Sequence, residues 1–359
     1  MPAASGNYWD VRDGASSCGE IGDGGQDAYD GFGSVSARVV NGASTVVDNT
    51  ELCDFNLVNA GRNWSTAAPV EIETSGVMAS RSIYAPLGTD YLRYVDTFTN
   101  TTGSTLDIYV AVGGDVGSDS DTTLARTSSG DLSVTAADTW FETIENSGFD
   151  PNGLATDPPV GMVLRSASDS TFTGLGDYDN NPFDDPWPGN GNEYYAAVFH
   201  FVLAPGRTSS IATFLVHTYE EGRTGPSGQP APAAGEQTEA ARALLASLSV
   251  GPNWDGLSAS EVAGIVNWNA TGAQVNRTGY CSIAGNTNLD GVAIKPGTFL
   301  DLADGQPAND PHYKGATPSF YYQGLGLSCD SLPGYTKTGE LVGYGGKGDP
   351  GTYTYLAKN

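Results

Sequence analysis

The chain has 359 residues, of which 39% are hydrophobic and 10% aromatic. This composition excludes a wholly disordered protein, and no apolar run approaches the roughly 18 residues that a membrane-spanning helix needs. A total of 42 acidic residues against 16 basic ones gives a formal net charge of -26. Because such a surface repels phosphate groups, we expect no nucleic-acid partner and no membrane insertion.

The first part of the chain has the pattern of strands separated by turns. Apolar and polar residues alternate over 106–112, which predicts a half-buried strand, and the run over 92–98 is similar. We expect these two runs to form a hairpin. The runs at 194–203 and 211–218 are apolar on both faces, which is typical of strands in the middle of a packed sheet. Residues 1–224 are therefore predicted to form a large antiparallel β-sandwich domain.

Residues 225–277 are predicted to be a connector that contains two short helices. The segment 225–235 is rich in Pro, Ala and Gly, and the segment 236–248 carries an apolar stripe at helical spacing. Ser258 and Glu261 have the spacing of a capping box, which predicts the start of the second helix.

The final segment, 278–359, returns to a strand pattern. Its predicted strands cover 280–283, 292–294, 299–302, 320–322 and 352–356. The fold class is therefore predicted as mainly β, with a large sandwich domain, a two-helix connector and a small C-terminal β-sandwich module.

Four cysteines fall into two pairs that are local in sequence. They are widely spaced and lack the CxxC pattern of zinc ligands, so disulfides are favoured. Of the three possible pairings we favour Cys18–Cys53 and Cys281–Cys329. Disulfides are typical of exported proteins. The N-terminus has no basic and apolar leader, which we interpret as the mature form of a secreted or surface protein.

Several stretches resemble segments of large secreted bacterial proteins of uncertain function. One is the run at 92–100, and another combines 117–119 with 128–131 and 138–140. The runs at 288–291 and 295–300 resemble short β-sandwich modules that follow larger extracellular domains. The resemblance implies a multi-module β-sandwich surface protein, and it supplies no catalytic motif.

The most specific chemical motif is an acidic loop with the spacing of a calcium site. Asp177, Asp179 and Asn181 alternate along the chain, and Asp185 follows them. Alternate side-chain oxygens of this kind converge on a hard cation that takes six to eight oxygen ligands. Pro182 stands where an EF-hand has Gly, so we expect a calcium loop on a β scaffold or, alternatively, a solvated acidic turn.

Two further acidic stretches are interpreted as turns. Asp23, Asp27 and Asp30 lie in a Gly-rich stretch, and Asp119 and Asp121 follow Gly117. The types and spacing of these residues are ordinary for turns.

His200 and His217 lie in the two consecutive strands predicted at 194–203 and 211–218. If these strands pair, the two histidines come together and could bind a transition metal with a carboxylate. We favour the simpler interpretation, in which both are structural residues of the sheets.

A candidate ligand-binding group lies just after the acidic loop. Trp187, Tyr194 and Tyr195 offer aromatic faces that stack on sugar rings, and Glu193 offers a carboxylate. Buried aromatic residues at a sandwich edge have the same composition. The chain has no G-x-S-x-G elbow and no HExxH or P-loop motif, so no catalytic residues are assigned.

The sequence predicts a secreted or cell-surface β-sandwich protein with a structural or binding role, stabilised by calcium. Its expected partners are other extracellular protein subunits or a polysaccharide. The alternative is a polysaccharide-binding or polysaccharide-cleaving enzyme on a β-sandwich scaffold. Whether the protein is an enzyme is left open, and we favour a non-enzymatic role.

Overall fold

The structure is a computed structural model. It describes residues 9–15, 17–23, 27–86, 89–145, 157–220 and 235–268, together with the backbone of seven strands between 279 and 358. The chain divides into two compact units, Met1–Val250 with Gly264–Asn269, and Gly251–Ala263 with Ala270–Asn359. The predicted borders at 224 and 277 both lie outside the described residues and stay predictions.

The first unit contains two antiparallel sheets, which confirms the predicted fold class. In spatial order, the five-stranded sheet consists of β12 (Phe172–Asp177), β13 (Tyr194–Leu203), β8 (Leu106–Asp115), β1 (Ser34–Asn41) and β2 (Ser44–Glu51). The nine-stranded sheet consists of β3 (Leu57–Asn59), β4 (Asn63–Thr66), β6 (Val77–Tyr84), β7 (Tyr91–Asn100), β14 (Thr208–His217), β11 (Val160–Val163), β10 (Trp140–Glu145) and β9 (Thr122–Thr127), with β5 (Val70–Glu71) beside β6.

The core lies between the two sheets. Side chains alternate along each strand, so every second residue of β8 faces inward, and Ile108 and Val110 are completely buried. Aromatic rings meet across the interface between the sheets. The Phe98 and Phe201 centroids lie 6.0 Å apart, and those of Phe141 and Tyr195 lie 5.3 Å apart.

The predicted hairpin between 92–98 and 106–112 is wrong. β7 pairs with β6 and β14 in the nine-stranded sheet, whereas β8 pairs with β1 and β13 in the five-stranded sheet. The turn between β7 and β8 therefore carries the chain from one sheet to the other. The same change of sheet occurs between β13 and β14, and both of these strands are interior, as predicted.

Asn100 joins these two crossings to each other. Its side-chain amide donates to the carbonyl oxygens of Ser104 (2.8 Å) and Leu203 (2.9 Å). Its backbone N–H donates to the Arg207 carbonyl, and its own carbonyl accepts from the Gly206 N–H. The buried polar groups of both corners are satisfied in this way, which a sheet-switching connection requires.

The two predicted helices are present. Helix α1 (Glu236–Val250) turns Ala241, Leu245 and Leu248 inward, and it packs on β10, β11 and β14. Helix α2 (Ala259–Ala263) begins with the predicted capping box. The Glu261 carboxylate accepts from the Ser258 N–H (2.7 Å), and the Ser258 hydroxyl accepts from the Glu261 N–H (3.3 Å). Neither helix in the described part of the chain has the length and apolar character needed to cross a lipid bilayer.

The second unit is also built of strands, as predicted for 278–359. They are β15 (Gly279–Ala284), β16 (Thr287–Leu289), β17 (Val292–Ile294), β18 (Thr298–Leu300), β19 (Tyr321–Tyr322), β20 (Tyr335–Tyr344) and β21 (Pro350–Lys358). One sheet has the order β18-β15-β21-β20 with β19 beside β15, and β16 pairs with β17. The β15–β21 pair is parallel, so this sheet is mixed, whereas the sheets of the first unit are antiparallel.

Candidate functional site

Carboxylates from separate segments of the first unit lie close together at one end of the sandwich. We call this set the acidic cluster and define it as Asp27, Asp30, Asp115, Asp119, Asp157 and Glu193. Asp119 acts electrostatically on each of the other five members. Asp119 is therefore the electrostatic centre of the cluster, whose members are spread along the chain from residue 27 to residue 193.

The ends of the strands position these residues. Asp115 is the last residue of β8, and it pairs in register with Tyr194, the first residue of β13. Glu193 therefore lies directly beside this end of the sheet. Asp30 precedes β1, and its N–H donates to the Asp115 carbonyl oxygen (3.2 Å).

A close backbone contact brings the segment around residue 28 against the segment around residue 117. The Gly117 N–H donates to the Ala28 carbonyl oxygen (3.2 Å). A Cβ atom at Gly117 would lie 1.5 Å from the carbonyl oxygen of Asp27, so only glycine fits there. Asp27 and Asp119 both have left-handed backbone, with φ of 62° and 50°. Aspartate tolerates this conformation better than most residues.

Asp157 has the most perturbed acid group of the cluster. Burial and the neighbouring Glu145 carboxylate, followed by Asp27 and Asp119, raise its pKa from 3.8 to about 8. The Asp157 N–H donates to Glu145 Oε2 (3.0 Å), which holds the two residues side by side. The Asp157 side chain therefore carries a proton for much of the time at neutral pH.

Asp115 is perturbed in the same direction. Burial first, and then the acids Glu193, Asp30 and Asp119, raise its pKa to about 6 against the opposing hydrogen bond from the Tyr194 hydroxyl. Its Oδ1 atom is buried and has no hydrogen-bond partner among the described residues. Burial, followed by neighbouring acids, also raises the pKa of the carboxyl groups of Asp27, Asp30 and Glu193.

Carboxyl groups that titrate near neutral pH can both donate and accept hydrogen bonds. When protonated they offer an O–H donor, and when ionised they offer only acceptor oxygens. Such a set suits a ligand rich in hydroxyl groups, or a cation that displaces the protons. It also suits general acid–base chemistry, because the best catalytic pKa lies near the working pH.

The predicted ligand-binding residues divide between the cluster and the core. Glu193 and Tyr194 belong to the acidic end. Tyr195 is only 1% exposed, and its hydroxyl lies 3.1 Å from Thr143 Oγ1 inside the sandwich. The half-buried Trp187 packs edge-on against Tyr195 with ring centroids 5.4 Å apart, and its Nε1 donates to the Asn192 carbonyl.

Three residues from the two acidic stretches interpreted as turns belong to the cluster. Asp27 lies in a turn and Asp30 in a bend, whereas Asp119 begins a short 3-10 helix (Asp119–Asp121), and the fold brings the three together. Sequence reasoning missed Asp115 and Asp157 altogether. Asp115 lies three residues beyond the strand predicted at 106–112, and Asp157 precedes two prolines. Neither pattern indicates a perturbed carboxyl group.

The predicted calcium loop is closed by hydrogen bonds among its own residues. Asp177 Oδ1 accepts from the Asp179 N–H (3.2 Å), and Asp177 Oδ2 accepts from the Asn180 amide (2.9 Å). Asn181 Oδ1 accepts from the Phe183 N–H (3.2 Å). Side-chain oxygens of two predicted ligands, Asp177 and Asn181, therefore accept hydrogen bonds from N–H groups of the loop.

Arg38 of β1 fastens this loop to the outer face of the five-stranded sheet. Its guanidinium donates two hydrogen bonds to the Asp184 carboxylate, of 2.9 and 2.5 Å, which hold the pKa of Asp184 below its usual range. The guanidinium also lies 5.1 Å from the centre of the Phe183 ring. The Asp185 carbonyl accepts from the Asp177 N–H, which closes the loop (2.8 Å).

Three His, Cys, Asp or Glu ligand atoms lie within 4.8 Å of one another at one place in the described part of the chain. This group is Cys18, Glu51 and Cys53. The two sulfur atoms form a disulfide, which confirms the predicted Cys18–Cys53 pairing. Cys329 lies outside the described residues, so the Cys281–Cys329 pairing stays a prediction, as does calcium binding at Asp177, Asp179, Asn181 and Asp185.

The two strand histidines do not meet. His200 lies on the outer face of β13, where its ring stacks on Tyr109 (4.4 Å) and its Nε2 lies 3.0 Å from Asp107 Oδ1. His217 is completely buried in the other sheet, and its ring contacts Trp9 (4.1 Å between centroids). A metal site shared by these histidines is therefore excluded, because β13 and β14 belong to different sheets.

No protein-family model matches the chain, and no curated protein matches it. Among solved structures, a polysaccharide lyase is similar over 59% of this chain and 32% of its own, with 15% identity and a TM-score of 0.35. A protein described as a kojibiose phosphorylase from the human microbiome is similar over 61% and 26%, with 7% identity and a TM-score of 0.31. An α-galactosidase from Geobacillus stearothermophilus is similar over 54% and 30%, with 9% identity and a TM-score of 0.26.

This chain thus spans about a third or less of the length of each of these proteins. The functional assignment rests on the chain's own residues.

Proposed function

We propose that this protein is an extracellular β-sandwich binding protein whose ligand-binding region is the acidic cluster. The observation that carries the proposal is the electrostatic interaction of six carboxyl groups from four separate segments at one end of the sandwich. Bringing like charges together costs stability, and such arrangements are typical of functional sites. The expected partner is another extracellular protein subunit or a polysaccharide.

Two features support an extracellular location. The Cys18–Cys53 disulfide is of a kind that persists in oxidising compartments. The net charge of -26 keeps a secreted protein soluble and apart from its neighbours.

Of these two expected partners, the polysaccharide is the one that a specific observation favours. Glu193 and Tyr194 lie in or beside the acidic cluster, and Trp187 is close to them in the chain and half-buried. Hydroxyl groups of a sugar pair well with carboxyl groups that both donate and accept. Cleavage of a glycosidic bond would use one protonated and one ionised carboxyl group, for which the pKa values favour Asp157 as the acid.

Replacing Asp119 with Asn tests the proposed site. Asp119 acts on every other member of the cluster, so we expect Asp119→Asn to weaken binding to an immobilised polysaccharide panel at least tenfold. The melting temperature should stay the same or rise, because the substitution removes repulsion and Asn tolerates the left-handed backbone. Biolayer interferometry and thermal unfolding measure the two effects.

Asp131→Asn is the matched control, because it removes one carboxylate that lies outside the cluster. The Oδ1 atom of Asp131 accepts hydrogen bonds from the Thr127 hydroxyl and the Ser133 N–H. The variant should leave binding unchanged. Equal binding by the wild type, Asp119→Asn and Asp131→Asn would contradict the assignment of the site. Release of new reducing ends by the wild type, and its loss in Asp157→Asn, would favour the enzymatic alternative.

Calcium binding by the loop is the second part of the proposal. We expect calcium to raise the melting temperature more than magnesium, because calcium accepts six to eight oxygen ligands in irregular geometry, whereas magnesium requires a near-ideal octahedron. At a concentration a hundredfold above its dissociation constant, the ion adds about 2.7 kcal/mol to the free energy of unfolding. Asp179→Ala should remove most of this gain, whereas Asp121→Ala, which removes an acid outside the loop, should keep it. An unchanged melting temperature after chelation and after calcium is added back would identify a solvated turn.

A further inference from the structure

The Cys18–Cys53 disulfide has a carboxylate beside it. One ligand atom from each of Cys18, Glu51 and Cys53 lies within 4.8 Å of the other two. Both cysteines are half-buried and Glu51 is exposed, so solvent reaches the group. Disulfides that reagents can reach are the ones that reductants open most readily. The chemistry of this group can therefore change with the redox state of the protein.

Backbone contacts hold the two cysteines together independently of the disulfide. The Phe55 N–H donates to the Ser17 carbonyl oxygen (3.3 Å), which joins the residue before Cys18 to the segment after Cys53. The Arg81 Nη1 donates to the Cys18 carbonyl oxygen (2.9 Å) and fixes the backbone of this cysteine to β6. The two side chains therefore stay close to each other when the S–S bond is broken.

A hydrogen bond positions the carboxylate. Glu51 is the last residue of β2, and it pairs in register with Ser36 of β1. The Tyr178 hydroxyl donates to Glu51 Oε1 (2.7 Å). Carboxylates that bind metal ions are commonly oriented by such a hydrogen bond. Tyr178 is therefore a positioning residue for the Glu51 side chain.

We infer that Cys18, Cys53 and Glu51 form a redox-gated zinc site, closed by the disulfide and opened by its reduction. In the oxidised protein the two sulfur atoms are bonded to each other and offer no thiolate. In the reduced protein two thiolates and one carboxylate meet at one place, and their mutual repulsion favours a divalent cation between them. The site shares no residue with the acidic cluster, so it does not depend on the proposed function.

The two steps of opening balance in atoms and electrons. A dithiol reductant supplies two electrons and two protons, the S–S bond breaks, and the two sulfur atoms become thiols while the reductant becomes a disulfide. A zinc ion then displaces both thiol protons and binds the two thiolates and the Glu51 carboxylate. Three protein ligands leave the fourth tetrahedral position to water.

The spacing and the chemistry of the group suit zinc. Ligand atoms at about 2.0–2.3 Å from a tetrahedral zinc ion stand roughly 3.3–3.8 Å apart, and the atoms of this group already lie within 4.8 Å of one another. Reduction frees both cysteine side chains to rotate towards these separations. Thiolate, carboxylate and water are all usual ligands of zinc, whereas calcium and magnesium bind oxygen ligands.

Zinc binding by the full chain before and after reduction tests the inference. The Cys281→Ser/Cys329→Ser variant is the background, because its only cysteines are Cys18 and Cys53. A phosphine serves as the reductant, since a dithiol would itself bind zinc. In competition with a chromophoric chelator, we expect one zinc ion to bind the reduced protein at least a hundredfold more tightly than the oxidised protein. Zinc should also raise the melting temperature of the reduced protein by more than that of the oxidised protein.

Cobalt(II) in place of zinc reports which atoms bind the metal. Cobalt–thiolate bonds give a charge-transfer band in the near ultraviolet, and tetrahedral coordination gives strong bands in the visible. We expect both in the reduced protein and neither in the oxidised protein. Glu51→Gln should weaken zinc binding by about tenfold or more and keep the charge-transfer band. Tyr178→Phe should weaken it by a smaller factor.

Glu73→Gln is the matched control for Glu51→Gln. Glu73 is also an exposed acid, it accepts a hydrogen bond from the Thr50 hydroxyl, and it lies outside the group. The two substitutions make the same change in net charge. The control should therefore keep the zinc affinity of the reduced background protein.

Three results would overturn the inference. One is an equal zinc affinity before and after reduction, and another is a cobalt spectrum of the reduced protein without a charge-transfer band. The third is an equal loss of affinity in Glu51→Gln and Glu73→Gln, which would point to the overall charge of -26 as the cause.

The wild-type chain provides a second test that does not depend on the folding of the Cys281→Ser/Cys329→Ser variant. After reduction, Cys18→Ser/Cys53→Ser should bind one zinc ion fewer than the wild type. An equal number of bound zinc ions in these two proteins would also overturn the inference.

Discussion

Arg81→Met should lower the free energy of unfolding by about 3–5 kcal/mol, the usual cost of leaving a buried charge without its partner. The Arg81 side chain is completely buried, and its Nε and Nη2 atoms donate to the Asp96 carboxylate at 2.7 and 2.9 Å. Without the guanidinium, Asp96 would be left as a charge in the core, 2% exposed.

Arg81 also ties the N-terminal segment to the nine-stranded sheet. Its Nη1 donates to the carbonyl oxygens of Cys18 (2.9 Å) and Gly33 (2.5 Å). Its guanidinium lies over the rings of Tyr94, at 4.5 Å, and Phe55, at 5.6 Å. The substitution therefore removes contacts from β6 to the segment before β1, to β7 and to Phe55 at the same time.

Urea denaturation measures this effect, with Arg126→Met as the control for replacing an exposed arginine. The control should change the free energy of unfolding by less than about 0.5 kcal/mol. The double variant Arg81→Met/Asp96→Leu should recover part of the loss, because apolar residues often replace a buried ion pair without penalty. A cost below about 1 kcal/mol for Arg81→Met would contradict the role assigned to the pair.

Removal of the Cys18–Cys53 disulfide should cost about 4 kcal/mol, the value that the chain-entropy model assigns to a separation of 35 residues. The bond restricts the unfolded chain, and in the folded state it fastens the N-terminal segment to the connection between β2 and β3. Because Arg81 donates to the Cys18 carbonyl, this effect should be coupled to that of Arg81→Met. We expect the combined loss to be smaller than the sum.

Melting curves of the Cys18→Ala/Cys53→Ala variant, alone and with Arg81→Met, measure both quantities. Mass mapping of unreduced digests checks the pairing in the wild type and also tests the predicted Cys281–Cys329 bond. A variant without the 18–53 bond that melts at the wild-type temperature would contradict the prediction. Strict additivity with Arg81→Met would show that the two act on separate parts of the structure.

The fold class could be predicted because its signals are local. Alternation of apolar and polar residues at 106–112 reflects the two faces of one strand, whatever that strand pairs with. The stripe of helix α1 and the Ser258–Glu261 capping box are equally local, since they depend on residues three or four positions apart. The Cys18–Cys53 pairing was accessible for a related reason, because nearby cysteines were the simplest choice.

The pairing of the strands was not local, and there the prediction of a hairpin failed. A hairpin and a connection between two sheets both consist of two strands and a short turn. What distinguishes the two lies in contacts distant in sequence, such as those of Asn100, which satisfies the buried groups of two corners that are about a hundred residues apart in the chain. The two histidines were separated for the same reason, since β13 and β14 belong to different sheets.

The sequence by itself determined the strands, the helices, the Cys18–Cys53 disulfide and the acidity of the molecule. Only the tertiary structure decided which acids are functional candidates. Asp115 and Asp157 have ordinary neighbours in the chain, and their raised pKa values come from burial and from acids that folding brings beside them. Electrostatic perturbation depends on distance in space, so it could not be predicted until strand order had placed β1, β8, β11 and β13 side by side or face to face.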